Sequence, residues 1–164
     1  MADENIKAEK ENEELTAEEK LRLINRVMET AAEDGCFEKA LNLKAVSISD
    51  GASPKMCFAF EADQIKMNRY GALHGGLISS ILDEAMGMAA TIFSEHQVAT
   101  TSFSLNYHKG GLGRTYMIEV EMEHLGRKLI HACAKLYDTE NDKLCATGLG
   151  SYSVTKFPLT VRED

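Results

Sequence analysis

One stretch of the sequence, residues 77–94, has helical spacing and is apolar on nearly every side. Within it only Asp83 and Glu84 carry charge. A helix without a polar face has to be covered by other elements over most of its circumference, so this one is expected at the centre of a core. No uninterrupted apolar run in the chain is long enough to cross a bilayer, and we expect no membrane span.

Strand-like segments lie on both sides of this helix in the sequence. The two before it and the four after it are residues 43–49, 55–61, 101–107, 116–122, 129–138 and 143–155. Several of them alternate apolar and polar residues, which is typical of a half-buried antiparallel sheet. This order predicts an α+β fold in which a curled antiparallel sheet wraps around one long central helix.

The N-terminal part of the chain divides into a tail and a helix. Residues 1–14 are mostly Glu, Lys and Asn and have little to bury, so we expect a disordered acidic tail. Thr16 and Glu19 have the spacing of a capping box, and Gly35 is expected to end the helix that follows. The predicted units are the tail 1–14, the helix 15–35, one domain at 36–158 and a C-terminal tail at 159–164.

Charge and cysteine content limit the classes of protein to consider. The formal net charge is -8, which argues against binding to nucleic acid or to anionic membranes. The acidic N-terminus does not resemble a presequence, so we expect a cytoplasmic protein, with association to mitochondria left open. The four cysteines show no ligand or redox motif and are expected to be reduced and mostly buried.

A polar loop leads into the central helix. It runs Asn68-Arg69-Tyr70-Gly71-Ala72-Leu73-His74-Gly75-Gly76. Free N–H groups in the first turn of a helix, with the positive end of the helix dipole, stabilise a carbonyl oxygen that gains negative charge. The N–H of Gly75 is therefore a candidate oxyanion-hole donor, although a tight loop-to-helix turn would also need small residues. His74 precedes the helix N-terminus and is expected to be neutral.

Asp83 lies nine residues after His74, which is about 13 Å and half a circle along a helix. It cannot face the same substrate atom as the Gly75 N–H of its own chain. If both act in one reaction, the acid comes from a second chain and the active form is at least a dimer. Glu84 points about 100° away from Asp83 and is expected at a solvent-touching boundary, so we predict one functional carboxylate.

Two glycine-containing turns follow the helix. Gly110-Gly111-Leu112-Gly113 is followed by no helix and is expected to be a hairpin turn, not a phosphate loop. Gly126-Arg127-Lys128 joins two strands, and its cations could meet a phosphate or simply form a solvated hairpin. The other histidines have no metal-ligand spacing, and no metal is expected.

The pattern from Asn68 to Leu77, N-x-x-G-x-L-H-G-G-L, is followed by the helical sequence Ile81-Leu82-Asp83-Glu84-Ala85-Met86-Gly87. This combination resembles the hotdog-fold acyl-CoA thioesterases of the PaaI and thioesterase-superfamily-member type. The resemblance extends from about Phe37 to Phe157. It implies hydrolysis of an acyl-CoA thioester in fatty acid metabolism, with coenzyme A as part of the substrate and no other cofactor.

The resemblance also implies a role for each matched residue. Asp83 would act on the thioester, as general base or nucleophile, from across a dimer interface. The Gly75 N–H would polarise the thioester carbonyl. Asn68 would position the attacking water or the carbonyl, and His74 would support the loop.

Further contacts are implied on the strands that follow the helix. Thr100, with Thr101 as the alternative, would hold the water or the acid. The remaining residues expected at the substrate are Gly76, Tyr107, Gly126, Arg127 and Lys128. The family resemblance implies a homodimer as the minimal active unit and a homotetramer as the assembly.

The chain departs from the family pattern in two places, and two other functions stay open. The departures are the acidic N-terminal extension and His108-Lys109-Gly110-Gly111, where members commonly have a proline-containing turn. The alternatives are a hotdog-fold hydratase or dehydratase of enoyl or hydroxyacyl thioesters, and a non-catalytic acyl-CoA binding protein. The set of Asn68, His74 and Asp83 favours hydrolysis over both.

Overall fold

The computed structural model describes residues 15–33 and 35–159. The helices are α1 (Ala17–Glu33), α2 (Glu38–Leu41) and α3 (Gly75–Ser94), and a 3-10 turn covers Gln64–Lys66. The strands are β1 (Lys44–Ser49), β2 (Lys55–Glu61), β3 (His96–Tyr107), β4 (Thr115–Leu125), β5 (Leu129–Asp138) and β6 (Lys143–Pro158). The predicted acidic tail 1–14, and the C-terminal tail beyond residue 159, lie outside the described residues.

The six strands form one antiparallel sheet in the order β1-β2-β4-β5-β6-β3. Alternate side chains of the central strands point at α3 and are buried, among them Phe58, Ile118, Val120, Ile130 and Leu136. Eight residues of α3 are buried in turn, including Ile81, Leu82, Ala85 and Met86. The predicted fold class, a curled antiparallel sheet around one long helix with an extra N-terminal helix, is confirmed.

Helix α1 begins and ends as its sequence predicts. The Thr16 N–H donates to Glu19 Oε2 at 2.9 Å, and the Glu19 N–H donates back to Thr16 Oγ1 at 3.3 Å. This is the reciprocal pattern of a capping box. After the last turn, Gly35 has a φ of 77°, and the Cys36 N–H reaches the Ala31 carbonyl at 3.1 Å. A left-handed glycine closes the helix in this way because it carries no Cβ.

Helix α1 is attached to β1 through the Asn25 side chain. Its Oδ1 accepts from the Ala45 N–H at 3.0 Å, and its Nδ2 donates to the Ala45 carbonyl at 2.9 Å. Ala45 is buried and lies where the pairing of β1 with β2 shifts register, so its backbone groups need a partner. Helix α1 thereby covers the β1 edge of the sheet.

The opposite edge of the sheet is β3. Among the described residues it pairs only with β6, so one side of this 12-residue strand has no strand partner. It begins at His96, five residues earlier than predicted, which brings Thr100 into the strand. A long edge strand with free N–H and C=O groups is a template for pairing with another chain.

The predicted hairpin turn at Gly110–Gly113 is wrong. Strands β3 and β4 are not neighbours in the sheet, so the segment between them is a crossover and not a hairpin. The Asp138 carboxylate, fully buried, fixes this segment by accepting from the N–H groups of Leu112 at 3.0 Å and Gly113 at 2.9 Å. These bonds, with those from Asn141, outweigh the cost of burial and lower the pKa of Asp138.

The expectation that the cysteines are mostly buried is also wrong. All four are free thiols, but only Cys145 is fully buried, whereas Cys36 is exposed and Cys57 and Cys133 are half-buried. The half-buried pair lies on the sheet face that points away from α3, where side chains alternate with those of the core.

Helix α3 is the one helix in the described part of the chain that is long and apolar enough to cross a membrane. That test considers length and composition alone. Half of the tested stretch is buried within the fold. The core helix of a globular domain passes the same test, so its length and composition are weak evidence for a membrane span.

Candidate active site

The start of α3 is organised by the His74 side chain. His74 is the N-cap residue, and its Nδ1 accepts from the Gly76 N–H at 3.0 Å. An accepting Nδ1 carries no proton, so this geometry belongs to the neutral imidazole. With the Gly76 N–H occupied, the Gly75 N–H is left without an acceptor in the described part of the chain. The helix therefore offers the Gly75 N–H as a free donor at its positive end.

Asn68 shapes the loop in front of this helix. Its Oδ1 accepts from the N–H groups of Tyr70 at 2.8 Å and Ala72 at 3.2 Å, and its own N–H donates to the Ala72 carbonyl at 2.7 Å. Gly71, with a φ of 75°, allows the chain to close this tight turn. The side-chain oxygen is thus used within the loop, and the Nδ2 amide has no partner in residues 15–33 and 35–159.

Tyr107, at the end of β3, ties the edge strand to the first turn of α3. Its hydroxyl donates to the Gly75 carbonyl at 2.9 Å and lies 2.8 Å from Ser79 Oγ. Beside it is a depression of about 290 Å³ whose lining includes Asn68, Gly75, Tyr107, His108 and Lys109. The structure therefore brings Asn68, Gly75 and Tyr107 together in one protomer.

Asp83 lies further along α3 in a second group of polar residues. Its Oδ1 accepts from Thr100 Oγ1 at 3.0 Å and from the Tyr152 hydroxyl at 3.1 Å. Thr101, the alternative in the sequence, instead donates to the Ser151 carbonyl at 3.0 Å. Of the two threonines, Thr100 is the one that contacts the acid.

Tyr152 is the residue of this group that the sequence did not reveal. It lies 69 residues from Asp83 in the chain, and the pattern of residues 143–155 predicts only that it belongs to a strand. Its one local signal is the large polar ring between small residues, Gly150-Ser151-Tyr152-Ser153, on a strand face that turns towards the helix.

The two groups do not meet within one chain. Gly75 and Asp83 are eight residues apart on the same helix, a separation of about 12 Å. Gly75 contacts Tyr107 and Asp83 contacts Thr100, so the side chains around each belong to different stretches of β3. A single protomer thus presents two half-sites.

The Gly126-Arg127-Lys128 turn joins β4 to β5, which are adjacent in the sheet, so it is a hairpin turn. A hairpin was one of the two interpretations of its sequence, beside a contact with a phosphate. Arg127 and Lys128 are exposed. A Cβ on Gly126 would come within 2.7 Å of the Leu129 carbonyl oxygen, so a residue with a side chain would clash at this position. The turn borders a cavity of about 380 Å³ that Phe93 and Ser94 also line, at the C-terminal end of α3.

Glu84 differs from the expected boundary position. Its Oε1 is buried and has no hydrogen-bond partner within the described residues. The side chain borders a cavity of about 170 Å³ enclosed by residues of α1, α2 and β1, including Asn25, Glu38 and Lys44. Burial, and then the charges of Glu38 and Asp83, raise the pKa of Glu84 to about 7. Asp83 and Glu84, which are adjacent on one helix, therefore differ in their hydrogen bonding: Asp83 Oδ1 accepts two bonds, and Glu84 Oε1 accepts none within the described residues.

Side chains that could ligate a metal do not cluster in the described residues, where no group of three or more His, Cys, Asp or Glu is found. The arrangement offers a helix N-terminus with a free donor and, separately, a half-buried carboxylate. These are the two parts needed for acyl transfer, in which an acid or base acts while a donor stabilises an oxyanion.

Comparison with known proteins gives a match to a family model over part of the chain and similar solved structures over most of it. Residues 70–145 match the family model of the thioesterase superfamily. No curated protein matches the sequence.

Solved structures share the fold along most of the chain. Zebrafish thioesterase superfamily member 2 is 22% identical over 87% of this chain and 100% of its own, with a TM-score of 0.74. The Escherichia coli PaaI protein of the phenylacetic acid degradation operon is 16% identical over 85% and 99%, with a TM-score of 0.71. A Streptococcus mutans protein bound to acetyl CoA is 25% identical over 72% and 92%, with a TM-score of 0.64.

Glu84 makes a prediction for stability against pH. The folded protein binds the Glu84 proton more tightly than the unfolded chain, so the free energy of unfolding should fall as pH rises from about 4.5 through about 7. Glu84→Gln is uncharged throughout and should be more stable than the wild type at pH 8, by on the order of 1–3 kcal/mol. Urea unfolding between pH 5 and pH 8.5 measures this.

Glu119→Gln is the matched control, because Glu119 is an exposed glutamate on the outer face of β4. It should follow the wild-type pH dependence. Parallel curves for the wild type and Glu84→Gln across the whole range would contradict the role of Glu84.

Proposed function

We propose that this chain, which has the hotdog fold and carries the thioesterase superfamily pattern over residues 70–145, hydrolyses acyl-CoA thioesters to the free acid and CoA. The observation that carries the proposal is the Asp83 carboxylate. It is half-buried on the central helix, and its hydrogen bonds from Thr100 and Tyr152 both reach Oδ1. The other oxygen, Oδ2, has no protein partner in the described residues and is available for chemistry.

The oxyanion donor is the Gly75 N–H. It lies at the N-terminus of a 20-residue helix, where the dipole favours negative charge. Its neighbour Gly76 is already bonded to His74, which fixes the orientation of the first turn. The absence of a Gly75 side chain lets a carbonyl oxygen approach the backbone closely. A donor held in this way does not have to reorganise when charge develops.

A second copy of the chain completes the site. The free edge of β3 can pair with β3 of a partner in an antiparallel manner. If the twofold axis passes near Phe103 and Ser104, Thr100 of one chain lies opposite Tyr107 of the other. Asp83 lies beside Thr100 and Gly75 lies beside Tyr107, because the two residues of each pair are hydrogen-bonded. Each carboxylate then faces the oxyanion donor of the partner chain, which gives two sites in one homodimer.

Within this site the reaction takes a simple course. In one route, Asp83 Oδ2 removes a proton from water as the water oxygen attacks the thioester carbon. In the other route, Asp83 Oδ2 attacks the thioester carbon itself. In both routes the negative charge forms on the carbonyl oxygen, where the Gly75 N–H stabilises it. Collapse of the intermediate breaks the C–S bond and releases the CoA thiolate, which takes up a proton. When water is the nucleophile, this step gives the free acid directly. When Asp83 is the nucleophile, the acyl group remains on Asp83 as an anhydride, and water hydrolyses it to the free acid and the carboxylate.

The CoA portion of the substrate is assigned to the Gly126-Arg127-Lys128 turn. The turn lies at the C-terminal end of α3, and in an antiparallel dimer that end is next to the partner's Asn68 loop. Its two exposed cations suit the phosphates of CoA. The solved structure of the Streptococcus mutans relative with acetyl CoA supports a ligand of this class.

The reaction is tested by following release of free CoA thiol from acyl-CoA substrates of short to long chain. The wild type should release thiol, and Asp83→Asn should lose at least about 100-fold in kcat/KM. Glu84→Gln should stay within a few-fold, because Glu84 faces the cavity near α1 and not the proposed site. An absorbance change on crotonyl-CoA without thiol release would instead indicate a hydratase. CoA binding without either reaction would indicate a binding protein.

Gly75→Pro tests the oxyanion donor. Proline is tolerated at the first position of a helix, where it removes the N–H and adds its ring, and His74 already has an extended conformation that suits a following proline. The variant should remain folded and lose about 100- to 1,000-fold in kcat. Gly75→Ala keeps the N–H and adds a Cβ 3.6 Å from the Tyr107 ring, an ordinary contact, so its loss should be much smaller. Equal losses in the two variants would remove the N–H from the mechanism.

The shared site is tested by complementation between inactive variants. Asp83→Asn keeps the loop and Gly75→Pro keeps the acid, so a mixed dimer regains one intact site. When the two are co-expressed in equal amounts and pair at random, about a quarter of all sites should be intact. The measurement is the activity of the mixture relative to the wild type. A mixture that contains mixed dimers and is no more active than its components would place both groups in one chain.

A further inference from the structure

Tyr152 is a buried phenol that reaches the proposed catalytic acid. The residue is completely buried, and its hydroxyl lies 3.1 Å from Asp83 Oδ1 and 3.3 Å from the Asp83 backbone oxygen. Both partners belong to Asp83, so the hydroxyl is directed at one residue of α3. A buried hydroxyl without a partner would be costly, and here the partner is a carboxylate.

The structure leaves a slot for this ring. A Cβ on Gly150 would lie 2.6 Å from the Tyr152 hydroxyl oxygen and 2.7 Å from its Cε2, closer than two such atoms can approach. Gly87 lies one turn after Asp83 on α3, and a Cβ added to it would be 3.6 Å from Cε1 of the same ring. Glycine at position 150 is therefore what allows the tyrosine to lie against Asp83.

Tyr152 is a permanent donor in this position. Burial is the main cause that raises its pKa far above the usual range, and the Asp83 charge and hydrogen bond add to it. The phenol thus keeps its proton and always donates to the carboxylate. Thr100, the other donor, is on the exposed edge strand, whereas Tyr152 is held in the core.

The two donors act on the same oxygen. Thr100 and Tyr152 both bond Asp83 Oδ1, at 3.0 and 3.1 Å, and Oδ2 has no partner in the described residues. A carboxylate that is held by hydrogen bonds to one oxygen cannot rotate freely, because rotation would break both of those hydrogen bonds. Its other oxygen therefore keeps one direction.

We propose that Tyr152 is a positioning residue, which holds Asp83 through Oδ1 so that Oδ2 stays directed at the thioester or its attacking water. This inference rests on the proposed function, since it assigns a task within that site. Tyr152 does not touch the substrate; it acts through Asp83. Holding a reacting group in one geometry lowers the barrier by removing unproductive orientations.

The test compares two conservative variants. Tyr152→Phe removes the hydroxyl and keeps the ring in its slot. Tyr116→Phe is the matched control, because Tyr116 is also buried and its hydroxyl donates to the Gly113 carbonyl at 2.7 Å, in the crossover segment. Both variants remove a buried hydroxyl, but only Tyr152→Phe removes one bonded to Asp83.

Tyr152→Phe should lower kcat roughly tenfold, about 1.4 kcal/mol in the barrier, with little change in KM. The acidic limb of the pH–rate profile should move to higher pH, because the charged form of the acid loses a donor. Tyr116→Phe should leave kcat and that limb unchanged. Wild-type kcat and an unmoved limb in folded Tyr152→Phe would overturn the inference.

A second measurement separates this inference from the proposed function. Titration of the Asp83 carboxyl carbon by NMR needs no substrate and should show a higher midpoint in Tyr152→Phe than in the wild type or Tyr116→Phe. If the wild type hydrolyses thioesters but the midpoint does not move, the role of Tyr152 is wrong. If the midpoint moves but no thioester is hydrolysed, Tyr152 holds Asp83 and the proposed function is wrong.

Discussion

The burial of α3 inside the curled sheet is the constraint on which the rest of the structure depends. A helix that is apolar nearly all round gains its stability from the side chains around it, here those of β2, β4, β5 and β6. Its axis is therefore fixed, and so are the few polar groups that it carries. The N-terminus with Gly75 and the acid Asp83 are held at set positions along one rigid rod. Such elements position reacting groups more accurately than loops do.

The same rigidity keeps the two half-sites apart. Gly75 and Asp83 cannot approach each other without breaking the helix, since eight residues span about 12 Å. The edge strand β3 follows the helix and carries Tyr107 beside one half-site and Thr100 beside the other. The proposed chemistry therefore needs a second chain, and the free edge of β3 is the place where that chain would pair.

Asp83 and Glu84 show how tertiary contacts separate two neighbouring carboxyl groups. Asp83 receives two hydrogen bonds at Oδ1, while Glu84 turns into a cavity where its Oε1 has no donor among the described residues. The difference follows from the 100° between successive helical residues, which directs one side chain to β3 and β6 and the other to α1. Adjacent acids in different surroundings can thus have distinct roles.

The sequence by itself determined the buried helix, the order of the elements, the cap of α1 and the candidate loop, because hydrophobic periodicity and capping residues are local signals. It also determined, by helix geometry alone, that Gly75 and Asp83 of one chain cannot share a substrate atom. Only the tertiary structure decided which strands are neighbours, so the crossover at Gly110–Gly113 was mistaken for a hairpin. Periodicity reports which face of a strand is buried but not what lies against it. For that reason the hydrogen bond of Thr100 to Asp83, which the family resemblance only implied, and the contact of Tyr152 with Asp83 were visible only once β3 and β6 were packed against the helix.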